Sequence, residues 1–137
     1  MKRLLFLSAA LASLFIAAVW IEPARKTKTL GASEVIAVDG DTIDHGDDRY
    51  RLIGFDTPET FRAQCDAERA LGLRAKDRLT ELINFAGVIE LEIELHFDVH
   101  DRFLALGRVS GQNVGAILIS EGLARPYSGG KRQSWCG

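Results

Sequence analysis

The sequence predicts a single α+β domain, in which a meander of short strands precedes a long helix, a further pair of strands and a short helix. Two observations lead to this class. Runs of β-favouring residues separated by turn residues occupy the first half, and a long stretch with helical spacing of apolar residues follows them. The 137 residues leave room for one core of ordinary size. This order is compatible with a small closed barrel carrying helices.

Three short strands are expected first. Residues 34–38 form a β-favouring run that an Asp-Gly pair stops, residues 42–43 resume it, and residues 49–55 return after a stretch with hairpin-turn chemistry at residues 45–48. Strands of this length joined by tight turns indicate a meander.

A long amphipathic helix is expected over residues 66–85, ended by Gly87. Residues 88–95 then alternate between apolar residues and glutamates, which predicts a half-buried strand. The glutamate row is interpreted as a solvated face rather than a metal site. A further strand over residues 104–109 and a short helix over residues 114–121 complete the domain.

Two basic residues, Lys2 and Arg3, follow Met1 and precede an apolar run from Leu4 to Ile21, which is typical of an export signal. Its length suits either a cleaved signal peptide or a retained membrane anchor, and we slightly favour the anchor. Residues 1–24 are assigned to this segment, residues 25–32 to a basic linker and residues 33–137 to the domain. The protein is expected in the periplasm or outside the cell, or held at the inner membrane by the apolar run.

Composition and charge exclude some classes of protein. Apolar residues make up 47% and charged residues 26% of the chain, which is globular composition rather than that of a disordered protein. The formal net charge is −2, which argues against a high-affinity, sequence-specific nucleic-acid binder, because such a protein neutralises many phosphates with clustered basic residues. It argues less against an enzyme that holds one phosphate.

Four acidic residues fall near predicted strand ends: Asp39, Asp41, Asp56 and Glu59. Grouped carboxylates suit a hard divalent cation such as calcium or magnesium. The alternative is that Asp-Gly-Asp is an ordinary turn.

Two arginines accompany the acidic residues. Arg51 lies in the strand that leads to them and Arg102 in a loop before another strand. A guanidinium offers forked donors that match phosphate oxygens, so the combination suggests phosphoryl chemistry. Each arginine taken alone is more typical of a surface or ion-pair residue.

Both cysteines, Cys65 and Cys136, lie in the part expected to be exported, where an oxidising compartment permits a disulfide. The alternative is two unpaired thiols. A bridge would close a loop of about 70 residues and contribute roughly 4 kcal/mol in the loop-entropy model. It would also hold the C-terminus.

The stretches Val35–Ile43 and Arg51–Thr60 resemble the two signature segments of the staphylococcal nuclease (thermonuclease) family, and Gly122–Tyr127 resembles the segment after that family's second helix. The resemblance spans Ser33–Tyr127. It implies a five-stranded barrel of the oligonucleotide/oligosaccharide-binding (OB) type that carries one long and one short helix.

The same resemblance implies a calcium site and a set of catalytic residues. Asp41, Asp56 and the carbonyl of Thr57 would bind calcium, and Asp39 would support them. Glu59 matches the position of the general base. Arg51 and Arg102 would bind the phosphate and stabilise charge in the transition state. Tyr127 would either stack on a base or touch phosphate, or else pack near the barrel.

Residues 98–105 depart from the family's Asp-x-Tyr-Gly-Arg-x-Leu-Ala pattern, because His100 replaces the tyrosine and Asp101 the glycine. We favour the gapless register, since it needs no deletion and keeps Arg102 aligned. In the other register the second arginine would be absent. His100 is interpreted as a surface substitution rather than a general acid, and the acidic neighbour of Arg102 is expected to weaken phosphate binding.

The favoured function is a calcium-dependent endonuclease that acts outside the cytoplasm on DNA, RNA or both, with single strands preferred and little sequence specificity. No protein partner is expected, and the protein is expected to be a monomer. The first alternative is a catalytically silent, membrane-tethered module that binds nucleic acid or a protein. A structural envelope protein is a further alternative, but it leaves the acidic residues unexplained.

Overall fold

The computed structural model describes residues 25–137, so the apolar segment assigned to export or anchoring lies outside the described residues. The described chain has the predicted α+β class, with a sheet curled into a half-barrel and two helices. Within residues 25–137, no helix combines the length and hydrophobicity needed to cross a membrane.

The predicted strands and helices occur in the predicted order, and the structure adds a strand before them and another after them. The strands are β1 (Lys26–Gly31), β2 (Ile36–Asp39), β3 (Thr42–His45), β4 (Asp48–Leu52), β5 (Gly54–Asp56), β6 (Val88–Phe97), β7 (Phe103–Val109), β8 (Gln112–Asn113) and β9 (Arg125–Tyr127). The helices are α1 (Asp66–Ala86) and α2 (Val114–Ser120), and a 3-10 turn covers Ala32–Glu34. The long helix, the short helix and the alternating strand are therefore confirmed to within a few residues.

The main sheet has the strand order β1-β6-β7-β4-β3-β2, with β8 added beside β7. Only the β4 and β7 pair is parallel within this sheet. The described chain has more strand segments than the five that the resemblance implies. One reason is that the predicted strand over residues 49–55 is split: Gly54 has a φ of 95°, which favours glycine, and β5 pairs with β9 instead.

Residues 25–32 are not a linker. Six of them form β1, which pairs antiparallel with β6, and Leu30 is 2% exposed opposite Ile89. The prediction was wrong because this strand buries only one large apolar residue, which leaves no apolar period in the sequence.

Helix α1 packs on the sheet through Ala75, Leu79 and Ile83, which are all buried. It begins after Cys65, whose sulfur accepts the backbone N–H of Glu68. It ends at Gly87, which has a φ of 78°, the left-handed conformation common at helix C-termini.

Two glycines let the loops that carry the acidic residues lie directly against α1. A Cβ at Gly40, between Asp39 and Asp41, would lie 2.7 Å from the Cβ of Ala75. A Cβ at Gly72, within α1, would lie 2.7 Å from the carbonyl oxygen of Glu59. Because interiors are close-packed, α1 fixes the positions of both loops, and a side chain at either glycine would displace them.

Candidate active site

Asp41 lies in the turn between β2 and β3, and its carboxylate is buried and hydrogen-bonded. Its Oδ2 accepts the backbone N–H of Thr57 at 3.1 Å and lies 2.8 Å from Nη1 of Arg51. Its Oδ1 accepts the hydroxyl of Thr42 at 3.0 Å. The N–H from Thr57 joins the first acidic turn to the end of β5, so two segments distant in sequence form one site.

Asp56, the last residue of β5, is 5% exposed. Its Oδ2 accepts the indole N–H of Trp135 at 3.3 Å. Its Oδ1 is buried and accepts no hydrogen bond, although Nε of Arg132 lies at 3.1 Å and Nη2 of Arg51 at 3.5 Å. Burial raises the pKa of Asp56 above its usual value, and the neighbouring arginines only partly offset this effect. A buried carboxylate oxygen that is ion-paired but accepts no hydrogen bond keeps lone pairs with which it can bind a metal cation.

Arg51 projects from β4 and is 5% exposed. Besides Asp41, its guanidinium donates to the carbonyl oxygens of Leu52 at 2.8 Å and Phe55 at 3.2 Å. Burial lowers the pKa of Arg51, and the charge of Asp41 opposes that shift. These bonds hold the guanidinium rigidly between the two buried aspartates.

Glu59 lies in the loop after β5 and is more accessible than the aspartates, with 38% of its side chain exposed. Its backbone N–H donates to the carboxylate of Glu68 at 3.3 Å, and that buried carboxylate also accepts the N–H of Gln64 at 2.7 Å. Glu68 therefore ties the loop of Glu59 to the start of α1.

Asp39 lies beside this loop rather than within the buried cluster. Its Oδ1 accepts the hydroxyl of Thr60. Asp39 thus supports the loop that carries Glu59, and its support of a calcium site stays a prediction.

Arg102 precedes β7 and is paired with Asp98, with Nη2 at 2.7 Å and Nε at 2.8 Å from Oδ2. Asp98 also accepts the backbone N–H groups of His100 at 2.8 Å and Arg102 at 3.0 Å. Although partial burial opposes it, these hydrogen bonds lower the pKa of Asp98.

Asp101 has a φ of 58°, a conformation that favours glycine and that aspartate tolerates better than most residues. The gapless register places the family's glycine at this residue, so the backbone geometry agrees with that register. His100 is exposed.

A cavity of about 810 Å³ opens beside the buried aspartates. Its lining includes Arg51, Arg102, Tyr127 and Arg132 together with apolar side chains such as Leu104. Tyr127 lines this cavity, and its hydroxyl donates to the carbonyl oxygen of Gly130 at 2.7 Å. One concave surface thus combines guanidinium groups with an aromatic ring.

The disulfide between Cys65 and Cys136 is present, as predicted. It attaches the tail, which we define as residues 128–137, to the start of α1. Arg125 also holds the tail, because its guanidinium stacks 3.7 Å from the ring centre of Trp135 and donates to the carbonyl oxygen of Ser134 at 2.9 Å. The tail is therefore built into the domain rather than trailing from it.

The tail brings Arg132 onto the acidic residues. Nε of Arg132 lies 3.1 Å from Asp56 and its Nη1 lies 2.5 Å from Glu59. Burial opposes the shift, but Asp56 and Glu59 raise the pKa of Arg132.

The structure therefore brings together Asp41, Asp56, Thr57, Glu59 and Arg51. Asp39 is connected to this group through its bond to Thr60, in the loop that carries Glu59. Arg102 and Tyr127 line the adjoining cavity.

Three residues that contact the site residues lie outside the sequence motifs and were not predicted: Glu68, Arg132 and Trp135. The sequence does indicate that Arg132 and Trp135 lie near the site, because Cys65 is only six residues from Glu59. Pairing it with Cys136 brings the residues before Cys136 close to the site.

Comparison with known proteins supports the resemblance. A family model described as staphylococcal nuclease homologue matches residues 49–134, which is more than half of the chain. No curated protein matches the chain significantly.

Proposed function

The chain belongs to the staphylococcal nuclease homologue family, and on this premise we propose that it is a calcium-dependent endonuclease that hydrolyses phosphodiester bonds of nucleic acid. Family membership supports a nuclease hydrolase. The calcium requirement, the OB barrel, the substrate preference and the residue roles are part of the proposal.

The observation that carries the proposal is the buried Oδ1 of Asp56, which accepts no hydrogen bond although two guanidinium groups lie near it, and which belongs to the same cluster as the carboxylate of Asp41. Oxygen donors of this kind fit calcium, which prefers carboxylate and carbonyl ligands. Asp41, Asp56 and the carbonyl of Thr57 would hold the ion. When bound, the ion supplies positive charge next to the reacting phosphate.

The chain's own residues account for the remaining steps. Glu59 is accessible enough to take a proton from a water molecule whose oxygen attacks phosphorus. A bond forms between that oxygen and phosphorus, and the bond from phosphorus to one ester oxygen breaks. The departing oxygen takes a proton from solvent. Arg51 and Arg102 offset the charge that accumulates on the phosphate oxygens.

The proposed substrate is single-stranded DNA or RNA with little sequence preference. The adjoining cavity offers arginines for the phosphate backbone and the ring of Tyr127 for stacking. Stacking and phosphate contacts tolerate every base, and single strands expose the base faces that stacking requires.

The test is cleavage of a fluorescent single-stranded oligonucleotide by the oxidised full-length protein, with calcium and with chelator. We expect calcium-dependent cleavage and a loss of about 10²-fold to 10⁴-fold in Glu59→Gln, because general bases contribute on this scale. Glu81→Gln is the matched control, since Glu81 is an exposed glutamate on α1. Wild-type protein that is folded but does not cleave would favour the silent binding module.

We further propose that the protein is exported and that residues 4–21 either direct export or remain as an anchor. The Cys65–Cys136 disulfide supports an oxidising compartment. Cell fractionation with an antibody against the domain tests this, and recovery of the reduced protein in the cytoplasm would contradict it.

A further inference from the structure

Arg132 lies between the cavity beside the site and a second depression that contains two of the acidic residues. It lines the cavity that contains Arg51, Arg102 and Tyr127, and it also lines a neighbouring depression that contains Asp56 and Glu59. Its guanidinium contacts both acidic residues. A residue in this position can reach either the carboxylates or a phosphate in the cavity.

The position of Arg132 is held on both sides along the chain. Tyr127 bonds to Gly130 on one side, and on the other Trp135 donates to Asp56 and stacks on Arg125. The Cys65–Cys136 disulfide then fixes the end of the tail. A side chain on a segment with this many anchors loses little entropy when it binds a ligand.

The two arginines assigned to the phosphate are less accessible than Arg132. Arg51 is 5% exposed and is bonded to backbone carbonyls as well as to Asp41. Arg102 is paired through two nitrogens with Asp98. Arg132 keeps 39% of its side chain exposed, so it is the most accessible guanidinium of the three.

We propose that Arg132 is a further substrate-binding arginine, which holds the carboxylates of Asp56 and Glu59 in the free protein and transfers to a phosphate oxygen of the nucleic acid. This inference rests on the proposed function. A divalent cation held by Asp56 would offset the charge that attracts Arg132 and would repel the guanidinium. A phosphate entering the adjoining cavity then offers oxygens that match the guanidinium fork.

The test is calorimetric titration of the full-length oxidised protein with a nucleoside 3′,5′-bisphosphate in the presence of calcium. This probe has phosphate groups but no phosphodiester bond, so binding is measured without turnover. We expect Arg132→Gln to weaken binding by about 10-fold or more, as for loss of a hydrogen bond to a charged group. Arg132→Lys should lie between it and wild type, because lysine keeps the charge but not the fork.

Lys131→Gln is the matched control. It removes the same charge from the adjacent, exposed residue, and we expect less than about a 2-fold change, since exposed charges contribute little. Calcium titration without the bisphosphate is the second measurement. We expect Arg132→Gln to bind calcium more tightly than wild type, because it lacks the competing guanidinium.

The outcomes separate this inference from the proposed function. If wild type binds neither calcium nor the bisphosphate, both the proposed function and this inference fail. If wild type binds both and Arg132→Gln matches Lys131→Gln toward the bisphosphate, only this inference is overturned. Tighter calcium binding with unchanged bisphosphate binding would also overturn it, because Arg132 would then only compete with the metal.

Discussion

Arg51 and Arg132 approach the same carboxylate oxygen of Asp56, at 3.5 Å and 3.1 Å, but they belong to very different parts of the molecule. Arg51 is enclosed by the sheet at 5% exposure. Arg132 sits on the surface of the tail, with 39% of its side chain exposed. One guanidinium is therefore part of the structure of the site, and the other is free to change partners.

The physical cause of this difference is solvation. Removing one partner of a buried pair leaves an uncompensated charge that water cannot reach, whereas water replaces an exposed partner readily. Burial lowers the pKa of Arg51, whereas at Arg132 the effect of burial is outweighed by the acidic neighbours Asp56 and Glu59, which raise the pKa. Substitutions at the two arginines should therefore differ more in stability than their similar distances to Asp56 suggest.

The largest expected effect is at Arg51. Arg51→Gln should lower the free energy of unfolding by about 3 kcal/mol, because it leaves the buried Asp41 without its cation. Urea denaturation of the oxidised protein measures this. Arg74→Gln, an exposed arginine on α1, is the control and should be nearly neutral. A loss below about 1 kcal/mol would mean that water enters the buried cluster.

The two arginines also differ in whether their place in the site could be predicted from the sequence. Arg51 precedes Asp56 by five residues, and both lie in one signature segment. The sequence therefore predicts that they belong to the same site. Arg132 lies 73 residues from its partner Glu59. No local pattern places it there, and only the disulfide indicates that the tail returns to the site.

The elements of the fold also divide into those that a local sequence pattern predicts and those that depend on distant residues. Helix α1 and strand β6 are strongly periodic, and their predicted bounds are confirmed to within two residues. Strand β1 was missed because its pairing with β6 depends on residues some 60 positions away and its side chains are mostly exposed. One buried leucine is not enough to produce the alternation of apolar and polar residues by which a strand is recognised in a sequence.

Asp98 should give an intermediate effect, since its pair with Arg102 is neither enclosed nor fully exposed. Asp98→Asn keeps an oxygen that can accept the backbone N–H groups but removes the charge. We expect a loss of about 1 kcal/mol at neutral pH, measured by denaturant unfolding. Asp77→Asn, an exposed aspartate on α1, is the control.

The pH dependence of this effect has a definite sign. Because the folded protein lowers the pKa of Asp98, its contribution is complete above the ordinary aspartate pKa of about 3.9. It is lost as the pH falls through the lower pKa of the folded state. Wild type and Asp98→Asn should therefore differ at neutral pH and converge in strong acid. A difference that persists in acid would assign the effect to the shape of the loop.

The smallest expected effect on stability is at Arg132. Arg132→Gln should lower the free energy of unfolding by less than about 1 kcal/mol, because its pair with Glu59 is exposed and gains little over hydration. Its other partner, the buried Asp56, still has Arg51 nearby, and the disulfide keeps the tail in place. The measurement is the same urea titration as for Arg51→Gln. A loss as large as at Arg51 would mean that Arg132 is a structural residue of the site, and any loss of ligand binding in the variant would then reflect a damaged fold. A small loss separates its role in binding from its role in folding.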